Sequence, residues 1–269
     1  MSITQSVILG LIQGITEFLP ISSSGHLILV PKFFNWPNHS LTFDAILHLG
    51  TALAIIFALR QDIWLIIRGL IIKNKGETRK ENLKSFWMIV LAVIPAGLIG
   101  FLFNNWIEQH LRSIYIVFLS LIFWGIFLWF SELYNNKQKI KIDGLKKISW
   151  LQALLIGLMQ VTAFIPGTSR SGITISAGLF AKFDRETAVK FSFLIGLPVI
   201  LCAGVFQLIG FASVGINYSE IICLVVGFFS ALISGIFSIR LLLLIANKAS
   251  FNIFVIYRIL LGIVILLLL

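Results

Sequence analysis

Charge is scarce in this chain: 12% of its 269 residues are Asp, Glu, Lys or Arg, against roughly a quarter in a soluble domain. Hydrophobic residues make up 58% and the mean hydropathy is +1.00. That much apolar surface exceeds what a single core of this size can hide, which excludes a water-soluble globule and makes lipid the solvent for much of the exterior. Cysteine is nearly absent. Cys202 and Cys223 each fall inside an apolar run, so no disulfide framework is indicated. No basic residue precedes the first apolar run, which ends at Pro20 and a serine cluster, so a cleavable signal peptide is not expected. Acidic residues number 11 and histidines 4, a short roll for any acid–base chemistry. The net charge of +10 does not point to nucleic acid, because the basic residues sit in short loops between apolar runs, as the positive-inside rule describes.

A helix needs roughly 17–25 apolar residues to cross the hydrocarbon. Six segments meet this: 43–60, 85–103, 113–131, 188–210, 219–240 and 251–269. Two more are interrupted. Segment 6–34 is cut by Pro20-Ile21-Ser22-Ser23-Ser24-Gly25, and segment 150–181 by Pro166-Gly167-Thr168-Ser169-Arg170-Ser171-Gly172. Their flanks are too short to cross, so each reads as a re-entrant helix–loop–helix. Irregular backbone at membrane depth requires protein or a wet cavity around it.

The interrupted segments resemble each other: ILGLIQGITEFLPISSSG at 8–25 against LIGLMQVTAFIPGTSRSG at 155–172. An internal repeat follows, with a first copy over about 1–131, a cytoplasmic loop over about 132–149 and a second copy over about 150–269, all in one integral domain. One hairpin and three full spans separate equivalent points, so the second copy is inverted in the membrane. The fold expected is therefore an all-α polytopic membrane protein of six transmembrane helices and two re-entrant hairpins. With the 60–84 connection in the cytoplasm, Arg60, Arg68, Lys73, Lys75, Arg79, Lys80 and Lys84 lie there. So do the Lys-rich stretch 137–147, with affinity for anionic membrane lipids, and Lys182, Arg185, Lys190, Arg240 and Lys248. The opposite side holds only Lys32 and Arg112. Both chain ends then lie outside. Trp36, Trp106 and Trp150 near span ends suit interfacial anchoring.

Ionisable groups inside apolar segments cost about 2.5–3.5 kcal/mol each on insertion scales, which makes them functional candidates. Gln13 and Glu17 are four apart, on one helical face. Pro20 ends that helix; Ser22, Ser23, Ser24 and Gly25 supply hydroxyl and backbone donors, and His26 opens the returning helix. A serine-rich turn at a helix N-terminus suits a phosphate. In the second cluster Arg170 carries a permanent charge in a fork that matches phosphate oxygens. Gly167, Ser169, Ser171, Gly172 and Thr174 surround it with small groups that let backbone approach an anion. A carboxylate, hydroxyls and an imidazole on one turn, a cation and donors on the other, make a phosphate-chemistry site when paired. His39, His48 and His110 have no partner at useful spacing, which favours structural roles. Asp44 reads equally well as an N-terminal helix charge or as a group near a metal. Arg258, in the last span, is expected on a helix carbonyl, on a carboxylate or snorkelling.

The chain resembles the bacitracin-resistance type of undecaprenyl-diphosphatase. That family shows Glu/Gln-x-x-x-Glu leading into Phe-Leu-Pro-x-Ser-Ser-x-Gly-His, and later Pro-Gly-x-Ser-Arg-Ser-Gly-x-Thr. Here these are Gln13 to Glu17, Phe18 to His26, and Pro166 to Thr174, and the likeness extends through Phe43-Asp44 and Phe191-Ser192-Phe193-Leu194. The resemblance implies a bacterial plasma-membrane enzyme that hydrolyses a polyprenyl diphosphate lipid to its monophosphate, assisted by a divalent cation such as Mg2+. It implies catalytic roles for Glu17, Ser23, His26 and Arg170, and phosphate contacts from Ser169 and Ser171. Ser22, Ser24, Gly167, Gly172 and Thr174 complete the expected substrate-binding set, and Gln13 with Glu17 the expected metal ligands. Gln13 takes the Gln option of the motif, one carboxylate fewer for a cation. A serine nucleophile and an activated water stay equally open.

Inverted repeats with broken helices also serve transporters and lipid flippases, which would not need the proton-transfer set of Glu17, Ser23 and His26. The phosphatidic-acid-phosphatase type shares Ser-Gly-His and Ser-Arg pieces but requires a later histidine. Here no histidine follows His110, which rejects that reading.

Overall fold

In the computed structural model the described residues are 1–37, 39–71, 76–111, 113–211 and 218–268. Of the charges counted for topology, Lys73, Lys75 and Arg112 lie outside them. Among the described residues the fold is all-helical, with one isolated bridge between Ile142 and Phe183 and no strand. The order is α1 (Ile3–Phe18), α2 (Ser23–Phe33), α3 (Leu41–Ala58), α4 (Arg60–Ile71), α5 (Glu77–His110), α6 (Ile114–Asn136), α7 (Trp150–Val161), α8 (Arg170–Phe180), α9 (Arg185–Phe211), α10 (Tyr218–Lys248) and α11 (Asn252–Leu268).

Among the described residues, five helices are at least 18 residues long and apolar enough to cross a membrane: Leu41–Ala58, Glu77–Phe103, Ile114–Asn136, Arg185–Val205 and Glu220–Lys248. The sixth expected span forms α11, a helix of 17 residues, at the lower limit of what can cross. Helix also replaces part of the loop expected at 60–84, where α4 packs Gly69 against Asn82 of α5.

The likeness of the two interrupted segments extends to their local geometry. Helix α1 opens on a capping box, Ser2 with Gln5, and α7 opens on the equivalent box, Ser149 with Gln152. In each, the hydroxyl and amide satisfy backbone donors that a helix start leaves orphaned. The first helix of each interrupted segment then leans on the other half of the chain. Helix α1 packs chiefly on α10, and α7 on α5. Both contacts are backbone-close. A Cβ at Gly10 or Gly14 would strike the backbone of α10, and one at Gly157 the backbone of α5 at Ala92. Small residues that let helices approach this way are the usual currency of packing in lipid.

The core runs between these crossings, with Phe18 edge-on to Phe193 of α9 at 5.2 Å and Ile55, Ile195 and Leu232 fully or nearly buried around them. At one end Glu132 of α6, 1% exposed, accepts from Arg185 Nε (2.9 Å) and Nη2 (2.7 Å) and from the Phe251 amide (3.1 Å). That network ties α6, α9 and the start of α11 together. The two breaks, 19–22 and 162–169, are brought together, both held by Arg258 through Pro20 and Thr168.

Candidate active site

Each break ends in the same device. Ser22 caps α2 with φ 75° and its Oγ accepts from the Gly25 amide at 3.4 Å. Ser169 caps α8 with φ 71° and its Oγ accepts from the Gly172 amide at 3.1 Å. The hydroxyls of Ser22 and Ser24 share a hydrogen bond at 3.3 Å, and those of Ser169 and Ser171 one at 3.2 Å. A positive φ on a non-glycine residue is sparsely populated and persists only where surroundings hold it. Two serines at equivalent places hold it here. Ile165, before Pro166, is extended (φ −76°, ψ 116°), as the proline requires.

The turns meet through Glu17. In the last turn of α1, 7% exposed, Glu17 accepts from Gln13 Nε2 (3.1 Å) and Ser23 Oγ (2.7 Å) at Oε2. At Oε1 it accepts from Arg170 Nη2 (2.8 Å). Arg170 Nη1 also donates to the Ser192 carbonyl at 3.1 Å. The guanidinium has room because residue 196 is glycine; a Cβ there would overlap it. Position 17 of the first half is thus paired in charge with position 170 of the second, and the serine hydroxyl lies on the same carboxylate.

Beneath both turns sits Arg258, 0% exposed. Its guanidinium donates to five carbonyls: Pro20 (3.2 Å), Gly167 (2.9 Å), Thr168 (2.9 Å), Ser120 (3.2 Å) and Leu121 (3.1 Å). Of the alternatives open in the sequence, helix and loop carbonyls are realised, and Arg258 does not snorkel. Its hydrogen bonds are satisfied by neutral groups, so its charge adds to that of Arg170 and to the two helix N-termini in favouring an anion.

The remaining expected residues divide. Ser171 (0% exposed) donates to the Leu19 carbonyl at 3.3 Å. Thr174 donates to the Arg170 carbonyl at 2.8 Å and shares a hydrogen bond with Ser192 Oγ at 2.6 Å. Gly167 takes φ +90° against Val117 and Ser120. With Ser22, Ser169 and Gly172 these groups are spent on building the turns, while Ser24 is exposed and Ser23 and Arg170 are half-buried. His26 turns elsewhere. Its Nδ1 lies 2.7 Å from the Ser22 carbonyl and its Nε2 2.7 Å from Tyr257 Oη, and it makes no hydrogen bond to Ser23 or Glu17. Its ring borders a cavity of about 510 Å³ walled by Leu29, Phe33, Ile114 and Leu261, with Lys32 at the edge.

His48, for which the sequence shows no partner, faces Glu17, with Nε2 3.8 Å from Oε2. Gly196 and Tyr257 likewise border the site without any local signal, whereas Arg258 is marked by its charge inside an apolar span. His39 approaches Asp44 at 2.8 Å, so Asp44 is engaged away from Glu17. Among the described residues no three His, Cys, Asp or Glu side chains gather as a metal cage. Gln13 Oε1, however, is buried with no hydrogen-bond partner beside that carboxylate. One carboxylate and one unpartnered amide oxygen suit a cation that arrives with phosphate oxygens as its other ligands, the manner in which Mg2+ is commonly held.

A helical membrane bundle with a carboxylate, a serine and an arginine at crossed helix breaks defines a membrane enzyme built for a phosphorylated ligand. The model of the bacitracin resistance protein BacA family matches residues 6–264, and the chain belongs to that family. It is 43% identical to an undecaprenyl-diphosphatase of Saccharophagus degradans over 97% of this chain and 96% of that protein. It is 41% identical to one of Chloroherpeton thalassium (98% and 95%) and 37% to one of Moorella thermoacetica (97% and 96%).

Proposed function

We propose that this protein hydrolyses undecaprenyl diphosphate to undecaprenyl phosphate and inorganic phosphate, recycling the carrier lipid for peptidoglycan synthesis and lowering bacitracin sensitivity. The observation that carries the reading is the Glu17–Arg170 pair with Ser23 hydrogen-bonded to the same carboxylate. Family membership and the names of the relatives support it. The apolar cavity beside His26 has the walls a prenyl chain needs.

Phosphoryl transfer is largely positioning and charge neutralisation. Arg170, with the field of Arg258 and the two helix N-termini, draws the terminal phosphate onto the turns. Glu17 takes the proton from the Ser23 hydroxyl, or from a water held at the same place. The oxygen so freed attacks the terminal phosphorus and the bridging P–O bond breaks, leaving the lipid monophosphate. If Ser23 is the nucleophile, a water then cleaves the phosphoserine and carries away phosphate. Arg170 stabilises charge on the equatorial oxygens throughout. His26, held by Ser22 and Tyr257, orients the start of α2 and stands between the turn and the cavity. A divalent cation, Mg2+ by resemblance, would be held by Glu17 and Gln13 and would neutralise diphosphate charge.

The architecture that goes with this reading has six spans, two re-entrant hairpins and inverted halves in the bacterial plasma membrane, with both ends external. Phosphate release from undecaprenyl diphosphate by the purified protein in detergent tests the function. Turnover by the wild type, lost by about 10²–10³-fold or more in Glu17→Gln and Ser23→Ala with folding retained, is the expected result. Near-wild-type turnover of Ser23→Ala would leave water as the nucleophile. No release by a folded wild type, with or without divalent ions, would sink the hydrolase and leave lipid transport by the crossed repeat.

A further inference from the structure

His48 stands on α3 one turn beyond Asp44, and its Nδ1 lies 2.7 Å from the Asp44 carbonyl oxygen. A carbonyl only accepts, so Nδ1 carries the hydrogen and the neutral ring presents a bare Nε2. That nitrogen looks at Glu17 Oε2 across 3.8 Å. With the ring neutral, the two lone pairs face each other and can share one cation. The side chain of His48 is 33% exposed and that of Glu17 7%, so the gap is reachable from outside but walled by protein. The Gln13 amide meets the same carboxylate oxygen at 3.1 Å through Nε2, and its Oε1 is buried without a partner. A half-turn of that carboxamide exchanges the two atoms and sets the free oxygen beside the same carboxylate oxygen.

Metal–nitrogen and metal–oxygen bonds are about 2.0–2.2 Å, and two such bonds to one ion place their donor atoms roughly 3–4 Å apart, which the 3.8 Å spacing matches. We propose that His48 Nε2, Glu17 Oε2 and Gln13 Oε1 form half of a divalent-cation site whose other ligands are diphosphate oxygens of the substrate. This rests on the cation-assisted reading above and adds a nitrogen ligand to it. An imidazole changes which ion is preferred, because nitrogen favours cobalt, nickel and zinc whereas an all-oxygen set suits magnesium and calcium. The carbonyl of Asp44 fixes the ring orientation, the usual second contact of a ligating histidine.

The test uses the full chain in detergent with inorganic diphosphate. Mg2+, Mn2+ and Co2+ are titrated calorimetrically, and nitrogen-14 coupling to bound Mn2+ is read by electron spin-echo spectroscopy. Wild type is expected to show histidine nitrogen coupling and to bind Co2+ at least about 10-fold more tightly than Mg2+. In His48→Gln the coupling disappears and the Co2+ preference shrinks by about 10-fold, while Glu17→Gln, the control, loses the site. Mn2+ bound without nitrogen coupling, or an unchanged Co2+ to Mg2+ ratio in His48→Gln, overturns the assignment of His48 and leaves the cation reading standing. No ion retained by wild type beyond the Glu17→Gln control overturns the cation reading, and this inference with it.

Discussion

The two serine turns share a backbone and divide a chemistry. Ser22 and Ser169 take nearly the same strained φ, 75° and 71°, cap the same distance ahead of a glycine amide and share hydroxyl hydrogen bonds of nearly equal length. The residues hung on this frame differ. Where the first turn has Ser23, the second has Arg170; where the last turn of α1 carries Glu17, the matching run Thr162-Ala163-Phe164-Ile165-Pro166 has Ala163; His26 answers to Ile173. One copy keeps the acid and the hydroxyl, the other the cation, and they function only across the interface, through the 2.8 Å pair of Glu17 and Arg170. The two turns share one backbone device, and the residues that differ bring a carboxylate, a hydroxyl and a cation together.

Arg170→Ser breaks the comparison most severely, because it rewrites the second turn as a copy of the first. The cap is untouched, so the turn should keep its shape, but Glu17 becomes a buried carboxylate without its cation. Breaking a buried pair by removing one partner costs about 3–5 kcal/mol, and loss of a charged donor to the transferring phosphoryl group about 10²–10³-fold in turnover. Thermal unfolding and phosphate release measure the two. Stability lost with turnover intact would separate the pair from the chemistry.

Arg258 bears on the shared part instead. It holds Pro20 of the first break and Gly167 and Thr168 of the second. Arg258→Lys keeps the charge but offers three donors for five carbonyls. An expected fall of about 2 kcal/mol follows from buried carbonyls left unsatisfied, together with an activity loss of about 10-fold from displaced turns. If the folded fraction of Arg258→Lys turned over at the wild-type rate, Arg258 would be a brace and nothing more.

Much of this frame was legible because the helix breaks announce themselves. Pro20, Pro166 and the Ser/Gly runs interrupt otherwise apolar stretches, and charged residues so placed are rare enough to read singly. The pairing of the two clusters is expected from their complementary groups, and the 2.8 Å contact of Glu17 with Arg170 realises it. His48 and Gly196 were not legible, since their importance lies in what a different helix brings opposite them. His26 shows the reverse. Three residues from Ser23, it looked like part of one proton-transfer set, but the first turn of α2 points its ring to Tyr257 on α11, a partner no local spacing could reveal. Part of the 60–84 connection folds as α4, an amphipathic run of 12 residues that carries too many charges to read as a span.

The finest test of the shared frame replaces each cap by glycine. At φ near 75° a non-glycine residue carries strain of about 1–3 kcal/mol, which glycine relieves. Against this, glycine loses about 0.5–1 kcal/mol to unfolded-chain entropy and a few tenths with the capping oxygen. Ser22→Gly and Ser169→Gly should therefore each shift stability by only about 1 kcal/mol, and by equal amounts if the turns are one device used twice. Thermal unfolding of the two variants side by side measures the difference directly. An unequal loss would mean that the hydroxyl in the costlier turn does more than cap its helix. If that turn is the second, beside Arg170, the natural further duty is a hydrogen bond to phosphate, and phosphate release would fall in Ser169→Gly but not in Ser22→Gly.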